Sequence, residues 1–242
     1  YPGSITPGEY TFRIGTAGST TQVLQTDPKA LMTADGPSTI ALEGGTHNPL
    51  APCYDFLEQV YFPLLRQMGV GIDASLQRRG FYPAGGGRFS VRVHPCRALG
   101  RLQLMERGKI LQRHVRALVA NLPAHIAGRE CDTIAKKTNW HKSCFRAETD
   151  STATGPGNVV MIGLRSEHAN ELFTGFGQRG VRAEVVASRV LREARQYIDA
   201  EVPVGNYLAD QLMLPLAIGA HRSRGGGAFR TLPLSAHSTT HL

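Results

Sequence analysis

Strand-like and helix-like stretches alternate along residues 9–94, and this alternation restricts the fold more than any other feature of the sequence. Four short stretches with turn residues at their ends predict strands at 9–15, 38–42, 72–77 and 89–94. Two longer stretches with helical spacing predict helices at 22–34 and 54–68. The order strand, helix, strand, helix, strand, strand predicts a small sheet with two helices on one face.

The second predicted helix carries the clearest pattern. Its apolar residues are three or four positions apart and so share one face: Leu57, Val60, Tyr61, Leu64, Leu65 and Met68. Gly69 is expected to end the helix. Pro63 lies inside it and predicts a bend, because proline has no backbone N–H to donate.

Residues 99–178 differ in composition from the residues on either side. They contain the only tryptophan, Trp140, most of the lysines and several polar turns. Strands are predicted at 159–165 and 172–174. We expect this stretch to form an inserted, semi-independent module.

Regular patterns return after this stretch. They predict helices at 181–198 and 207–216 and a strand at 228–232. These elements are interpreted as part of a second copy of the first layer. The predicted divisions are a core unit at 1–98, an insert at 99–178 and a partial core unit at 179–242.

The composition is that of a globular protein with a phosphate-rich partner. Of the 242 residues, 41% are apolar and 19% charged, so the chain can bury a core. No apolar run reaches the roughly 20 residues that cross a bilayer, and no membrane association is expected. The 27 Lys+Arg residues outnumber 19 Asp+Glu, and most are Arg, whose planar fork suits phosphate. Nucleic acid is one expected partner, and an ordinary surface that uses Arg in place of Lys is the other explanation.

The cysteines favour a reducing, cytoplasmic location, because they include no CxxC pair and the chain is too long to need disulfides: Cys53, Cys96, Cys131 and Cys144. A zinc site made of His125, Cys131, His141 and Cys144 is disfavoured. Only His141 and Cys144 have the short spacing that is typical of zinc ligands.

The stretch Gly175 to Gly180 has the spacing GxGxxG, and Asp199 follows about 20 residues later, as in a dinucleotide-binding oxidoreductase. Two observations argue against that function. Residues 171–174 are not the continuous apolar run of a buried parallel strand, and Asp199 falls at the end of a helix. The sequence has no Walker A motif, so ATP binding cannot be predicted from a P-loop.

Two features of the last third suggest nucleotide chemistry. Tyr207, Asp210 and Gln211 share one helix face, where a ring could stack and polar groups could bond a base. His237 follows a short apolar strand and lies among small residues that would leave its imidazole accessible. Neutral imidazole can attack phosphorus, although most lone histidines are ordinary core or surface residues.

Nine stretches are distributed along nearly the whole chain, from Phe12 to Leu242: FRIGTAGSTTQVLQT, ADGPS, GGTHNPLAPCYDFLEQVYFPLL, RRGFYPAGGGR, ERGKI, GPGN, VRAEVVASRVLREARQYI, VGNYLADQLMLPLA and AHSTTHL. In this order they resemble the RNA 3'-terminal phosphate cyclase family. GFYPAGGG and YLADQL are far more distinctive than a lone GxGxxG. The resemblance also explains residues 175–180 as the exit from the insert.

The resemblance implies an α+β fold, with a large domain of repeated four-stranded sheets carrying two helices each and a smaller inserted α/β domain. It implies that a histidine attacks the α-phosphorus of ATP, giving histidyl-AMP and pyrophosphate. AMP then passes to an RNA 3'-terminal phosphate, and the neighbouring 2'-OH attacks to form a 2',3'-cyclic phosphate and release AMP. A divalent metal, Mg²⁺ or Mn²⁺, is expected to neutralise phosphate charge.

The resemblance also assigns residues. His237 in AHSTTHL is similar to the family's nucleophile. The family's ATP-binding run matches five consecutive positions: Tyr207, Leu208, Ala209, Asp210 and Gln211. Gln25 in VLQT matches a further ATP contact, and Pro52 in LAP is expected near the adenine. No metal ligands are assigned.

Relatives of this family in eukaryotic ribosome biogenesis share the fold but lack the nucleophile. A non-catalytic RNA-binding protein is therefore the alternative, and the presence of His237 favours the enzyme. The family begins with a further repeat that has a Glu-Gly-Gly-Gly-Gln-type loop, and it continues beyond the catalytic histidine through more strands. Nothing here matches those parts, so the chain is expected to be a fragment.

Overall fold

A computed structural model describes residues 6–223, 225–234 and 239, with the side chains of residues 25–30 and 222–223 outside that description. The first sheet has four strands in the order β1-β2-β4-β3: β1 (Glu9–Arg13), β2 (Ser38–Gly44), β3 (Gly71–Arg78) and β4 (Gly87–His94). β1 and β2 are parallel and the other pairs are antiparallel. Buried residues alternate along β2 and β4, so one face of this sheet covers the core.

Helical segments follow β1 and β2: α1 (Thr20–Leu31), α2 (Tyr54–Phe56), a π-helical turn (Leu57–Tyr61) and α3 (Phe62–Gln67). The helix predicted from Tyr54 is confirmed as one helical run. The interruption expected at Pro63 takes the form of the π-helical turn just before it. The physical reason is that Pro63 cannot donate to the preceding turn, which widens instead.

The second sheet has four strands in the order β7-β6-β8-β9: β6 (Ile110–Ala120), β7 (Phe145–Asp150), β8 (Gly157–Ser166) and β9 (Asn170–Phe176). β6 and β7 are parallel, and β8 pairs antiparallel with β6 and β9. The connections contain α4 (His125–Lys137) and a 3₁₀ turn (Lys142–Cys144), and α5 (Ala183–Ala200) follows β9.

Both faces of the second sheet are buried. Val115 and Val119 of β6 belong to the core under α4 and α5. Leu118, on the opposite face of the same strand, belongs to the core of the first sheet. A strand buried on both sides is continuously apolar rather than alternating, which accounts for the apolar run along β8.

A further helix packs against the helical segments that follow β1 and β2. α6 (Asn206–Ser223) lies against α1 and the π-helical turn, and buries Leu208 and Leu212 completely. β5 (Leu102–Leu104) and β10 (Gly227–Phe229) form a short parallel pair. β10 is shorter than the predicted strand at 228–232, although Thr231 makes a single parallel bridge to Val204.

The prediction of a mixed α+β protein is confirmed. The description as repeated units, and the divisions at 98 and 178, stay predictions. α5 lies after the second division but packs against α4 and the second sheet. β5, β6, α4 and β7 were not predicted. No helix in the described part of the chain is long and apolar enough to cross a membrane.

Candidate functional site

The start of α6 presents the polar residues that the sequence placed on one face. Tyr207 is 61% exposed, Asp210 is half-buried and Gln211 is buried. Leu208 and Ala209 lie between them and are fully buried. Helical spacing therefore divides this run into an anchoring side and a side that can meet a ligand.

Two buried oxygens at this helix start have no hydrogen-bond partner within the described residues. They are the amide oxygens of Asn206 and Gln211. A buried acceptor left unpaired costs about 1–3 kcal/mol. An N–H donor, such as an adenine amine, would remove that cost. Because both oxygens are shielded from solvent, a ligand that supplies the donor must displace the atoms that cover them.

α1 connects this helix with the loop that carries Pro52. The backbone of α1 lies next to α6, and Gln25 belongs to α1, although its side chain lies outside the described residues. The Gln22 side chain donates to the carbonyl of Leu50 at 3.4 Å. Pro52 is half-buried two residues later in the same loop.

The loop before Pro52 is held tightly against the start of α1. Asn48 Nδ2 donates to the carbonyl of Ala17 at 2.6 Å, and the N–H of Thr20 donates to the carbonyl of Gly45 at 2.9 Å. A Cβ atom on Gly45 would lie 2.4 Å from the carbonyl oxygen of Ala17. This close approach requires glycine, because any side chain would push the loop away from α1.

His237, the predicted nucleophile, lies outside the described residues. The segment that leads to it is described as far as Leu234, which is exposed. Thr231 is bridged to Val204, only three residues before Tyr207. Thr231 therefore lies beside the entry to α6.

A carboxylate that the sequence did not indicate holds that entry in place. Glu171 of β9 is buried, and its Oε2 accepts a hydrogen bond from the backbone N–H of Gly205 at 2.7 Å. Its Oε1 accepts from the N–H of Leu172 at 3.2 Å. Burial raises the pKa of Glu171 to about 7. Charged residues are rarely buried, so no sequence pattern pointed to this one.

A polar cleft of about 340 Å³ separates the two sheets on another side of the molecule. Asp55 of α2 lies in its wall and joins the loop after β2 to the second sheet: its Oδ2 bonds His47 Nε2 at 2.7 Å, and its Oδ1 accepts from Arg116 of β6 at 3.0 Å. Burial alone would raise the pKa of Asp55. The His47 hydrogen bond and the nearby arginines outweigh burial and lower this pKa to about 2.

The expected Mg²⁺ or Mn²⁺ was tested against the described side chains. The one described cluster with metal-ligating spacing is His47, Cys53 and Asp55, and it is fully buried. These metals prefer oxygen ligands, whereas both Asp55 oxygens already bond His47 and Arg116. Burial raises the pKa of the Cys53 thiol to about 12. The cluster does not fit the metal, and no reaction step is assigned to it.

Residues 175–180 do not form a dinucleotide site. Gly175 lies in β9, an edge strand that pairs antiparallel with β8, whereas a dinucleotide fingerprint needs a parallel strand feeding a helix. A Cβ atom on Gly175 would lie 2.3 Å from a methyl carbon of Val190. This glycine therefore serves the close packing of α5 on the sheet.

Sequence comparisons match the whole chain to one protein family. Residues 1–242 match the family described as RNA 3'-terminal phosphate cyclase. Three curated relatives bear that name. Those from Koribacter versatilis, Ectopseudomonas mendocina and Ralstonia nicotianae are 42%, 43% and 46% identical. The alignments cover 100% of this chain and 66%, 69% and 68% of the respective relatives. The chain thus spans about two thirds of the length of these relatives.

Proposed function

Because the chain belongs to the RNA 3'-terminal phosphate cyclase family, we propose that it carries the nucleotide-binding part of an ATP-dependent RNA 3'-phosphate cyclase. The observation that carries this proposal is the start of α6. There Tyr207, an exposed aromatic ring, lies within four residues of two buried amide oxygens, those of Asn206 and Gln211, which have no hydrogen-bond partner among the described residues. An adenine offers a face for the ring and an amine for such oxygens.

In the proposed reaction, His237 attacks the α-phosphorus of ATP. A P–N bond forms at the imidazole, the bond to the β-phosphate oxygen breaks, and pyrophosphate leaves. The RNA 3'-phosphate then takes the AMP from the histidine. The adjacent 2'-OH attacks the activated phosphate, forms the 2',3'-cyclic phosphate and expels AMP. The nucleophile must be a neutral imidazole, which is available near pH 7.

Within this scheme the described residues bind and orient rather than react. Tyr207 would stack on the base, and Gln211 would accept from its amine. Asp210, half-buried on the same face, would bond the nucleotide's hydroxyl or amine groups. Gln25 and Pro52 would complete the site from α1 and its neighbouring loop. The substrate is an RNA with a 3'-terminal phosphate, and the net charge of +8 favours its approach.

The test is ATP binding by calorimetry. Gln211→Ala should weaken the affinity for ATP about tenfold or more, because a buried hydrogen bond to the base is lost. Gln67→Ala is the matched control, since Gln67 is exposed at the end of α3. Equal affinities for the two variants would contradict the proposed site. RNA binding without any ATP binding would favour the non-catalytic, ribosome-biogenesis alternative.

A further inference from the structure

The lysines and the single tryptophan of the chain gather on the second sheet and its helices. Five lysines are present, and four of them lie between residues 109 and 142, as does Trp140. The structure adds two arginines to them: Arg113, from the same stretch, and Arg195, which is distant in sequence. We call this set the Trp140 surface: Lys109, Arg113, Lys137, Trp140, Lys142 and Arg195.

Arg113 of β6 joins the aromatic ring to the sheet. Its guanidinium carbon lies 5.9 Å from the centre of the Trp140 ring, a cation–π contact. Both residues are only half-buried, so the pair remains open to a ligand. Lys142 is exposed on the 3₁₀ turn that lies against β6, two residues after Trp140.

The end of α4 supplies the next charges. The Lys137 ammonium donates to the hydroxyl of Ser188 on α5 at 2.7 Å. The guanidinium of Arg195 donates to the backbone carbonyl of Lys137. These bonds hold two exposed cations at the end of α4, where Lys137 lies three residues before Trp140, and within the described residues neither cation makes an ion pair.

A cleft of about 620 Å³ continues the surface on the other side of Arg113, and Lys109 lies at its edge. Its wall is held by Arg107, which donates to the carbonyls of Tyr197 and Ile198 at 3.1 and 3.2 Å. Asp199 and Glu201 are the acidic residues that line this cleft. The five cations of the Trp140 surface outnumber these two carboxylates.

We propose that the Trp140 surface binds single-stranded RNA, upstream of the reacting 3' end. An unstacked base would pack on the Trp140–Arg113 pair, and the flanking phosphates would lie on Lys137, Lys142 and Arg195. An aromatic ring among cations is the arrangement that binds single strands, because every base has a face to stack. A duplex keeps its bases stacked, so it cannot use the ring. This inference rests on the proposed function for the choice of RNA as ligand.

Fluorescence of Trp140 tests the proposal directly, because the chain has no other tryptophan. The probe is an oligouridylate of about twelve nucleotides ending in a 3'-hydroxyl, which cannot be cyclised. We expect saturable quenching. The double variant Lys137→Ala, Lys142→Ala should weaken binding by about fivefold or more and reduce the salt slope by about 1.4, since each lost phosphate contact contributes about 0.7.

Arg92→Ala is the matched control, since Arg92 is exposed on β4 of the first sheet, and it should bind like the parent. Circular dichroism of the double variant checks that it folds. Three results would overturn the proposal: no quenching when RNA is added to the folded parent, an unchanged RNA affinity of the folded double variant, or equal quenching by duplex RNA. Quenching by polyglutamate would assign the surface to acidic proteins instead. ATP binding is measured on the same samples. RNA quenching without ATP binding would contradict the nucleotide site and leave the Trp140 surface supported. ATP binding without RNA quenching would contradict the Trp140 surface and leave the nucleotide site supported.

Discussion

The carboxylate of Glu171, in β9, accepts a hydrogen bond of 2.7 Å from the backbone N–H of Gly205, at the entry to α6. The second sheet thereby fixes where the proposed nucleotide helix begins. The N–H groups at a helix start have no partner within the helix, so an acceptor from elsewhere must satisfy them.

Removing this carboxylate should loosen the start of α6. We expect Glu171→Ala to lower the free energy of unfolding by about 1–3 kcal/mol, because two buried N–H groups lose their acceptor. Glu171→Gln keeps one acceptor oxygen and should lose less. Urea unfolding measures both. Equal losses in the two variants would show that the hydrogen bonds to Gly205 and Leu172 are not what stabilises this junction.

Two buried carboxylates predict that stability falls as pH rises towards neutrality. Burial raises the pKa of Glu130 and of Glu171 to about 7 in the folded protein. The folded state therefore holds protons that the unfolded chain releases above its own pKa of about 4.3, and unfolding becomes easier as pH rises between these values. The stabilisation is complete below about pH 4 and lost above about pH 7.

Glu130→Gln tests this dependence, because its side chain stays neutral and can still accept from Asn158, which donates to Glu130 at 2.9 Å in the parent. The variant should flatten the change in unfolding free energy between about pH 4 and 7. Glu167→Gln changes an exposed glutamate and should leave the slope as in the parent. A Glu130→Gln variant with the same slope as the parent would contradict the raised pKa of Glu130.

Asp55 should be among the most sensitive acidic positions. Asp55→Ala leaves buried His47 and half-buried Arg116 without their shared partner, and we expect a loss of about 3–5 kcal/mol. Asp73→Ala is the control, because Asp73 is 80% exposed and should change stability by less than about 0.5 kcal/mol. The melting temperatures of both variants, measured by thermal unfolding, test this prediction. Similar melting temperatures would refute a structural role for this network.

Glycine substitutions test the contact between the two sheets. A Cβ atom on Gly157 would lie 2.1 Å from the ring of buried Phe81. Gly157→Ala should therefore cost about 1–3 kcal/mol, as overpacking does. Gly128 in α4 has no atom within 4 Å of the added Cβ, so Gly128→Ala should stabilise the protein by about 0.5–1 kcal/mol. Urea unfolding should therefore give a lower free energy of unfolding for Gly157→Ala and a higher one for Gly128→Ala. An unchanged free energy of unfolding for Gly157→Ala would contradict the packing described.

The elements with a regular apolar period were predictable, and those without one were not. The helix from Tyr54 was predicted because its apolar residues share one face, and it forms one helical run even though it contains a π-helical turn. α4 escaped prediction because Ala124 precedes it without a capping side chain and Gly128 lies inside it. The first half of β6 is exposed or half-buried although it begins with Ile110 and Leu111, whereas most of the second half is buried, so no single period describes the strand.

The residues of the nucleotide site were predicted from helical spacing and family resemblance. The long-range contacts that hold the structure around them were not predicted. Glu171 and Gly205 are 34 residues apart, and Asp55 and Arg116 are 61 residues apart. Buried ionic contacts of this kind depend on the packing of two sheets. Local sequence patterns carry no information about them, because charged residues ordinarily indicate an exposed surface.

The most direct test of the proposed function is covalent labelling of the gene product that contains residues 1–242, with ATP carrying ³²P at the α-phosphate. We predict a label that mild acid removes and alkali preserves, as expected of a P–N bond to histidine and not of an ester to serine or threonine. His237→Ala should abolish the label, and His241→Ala should retain at least part of it. A label that withstands acid, or one that persists in His237→Ala, would contradict the assignment of His237 as the nucleophile.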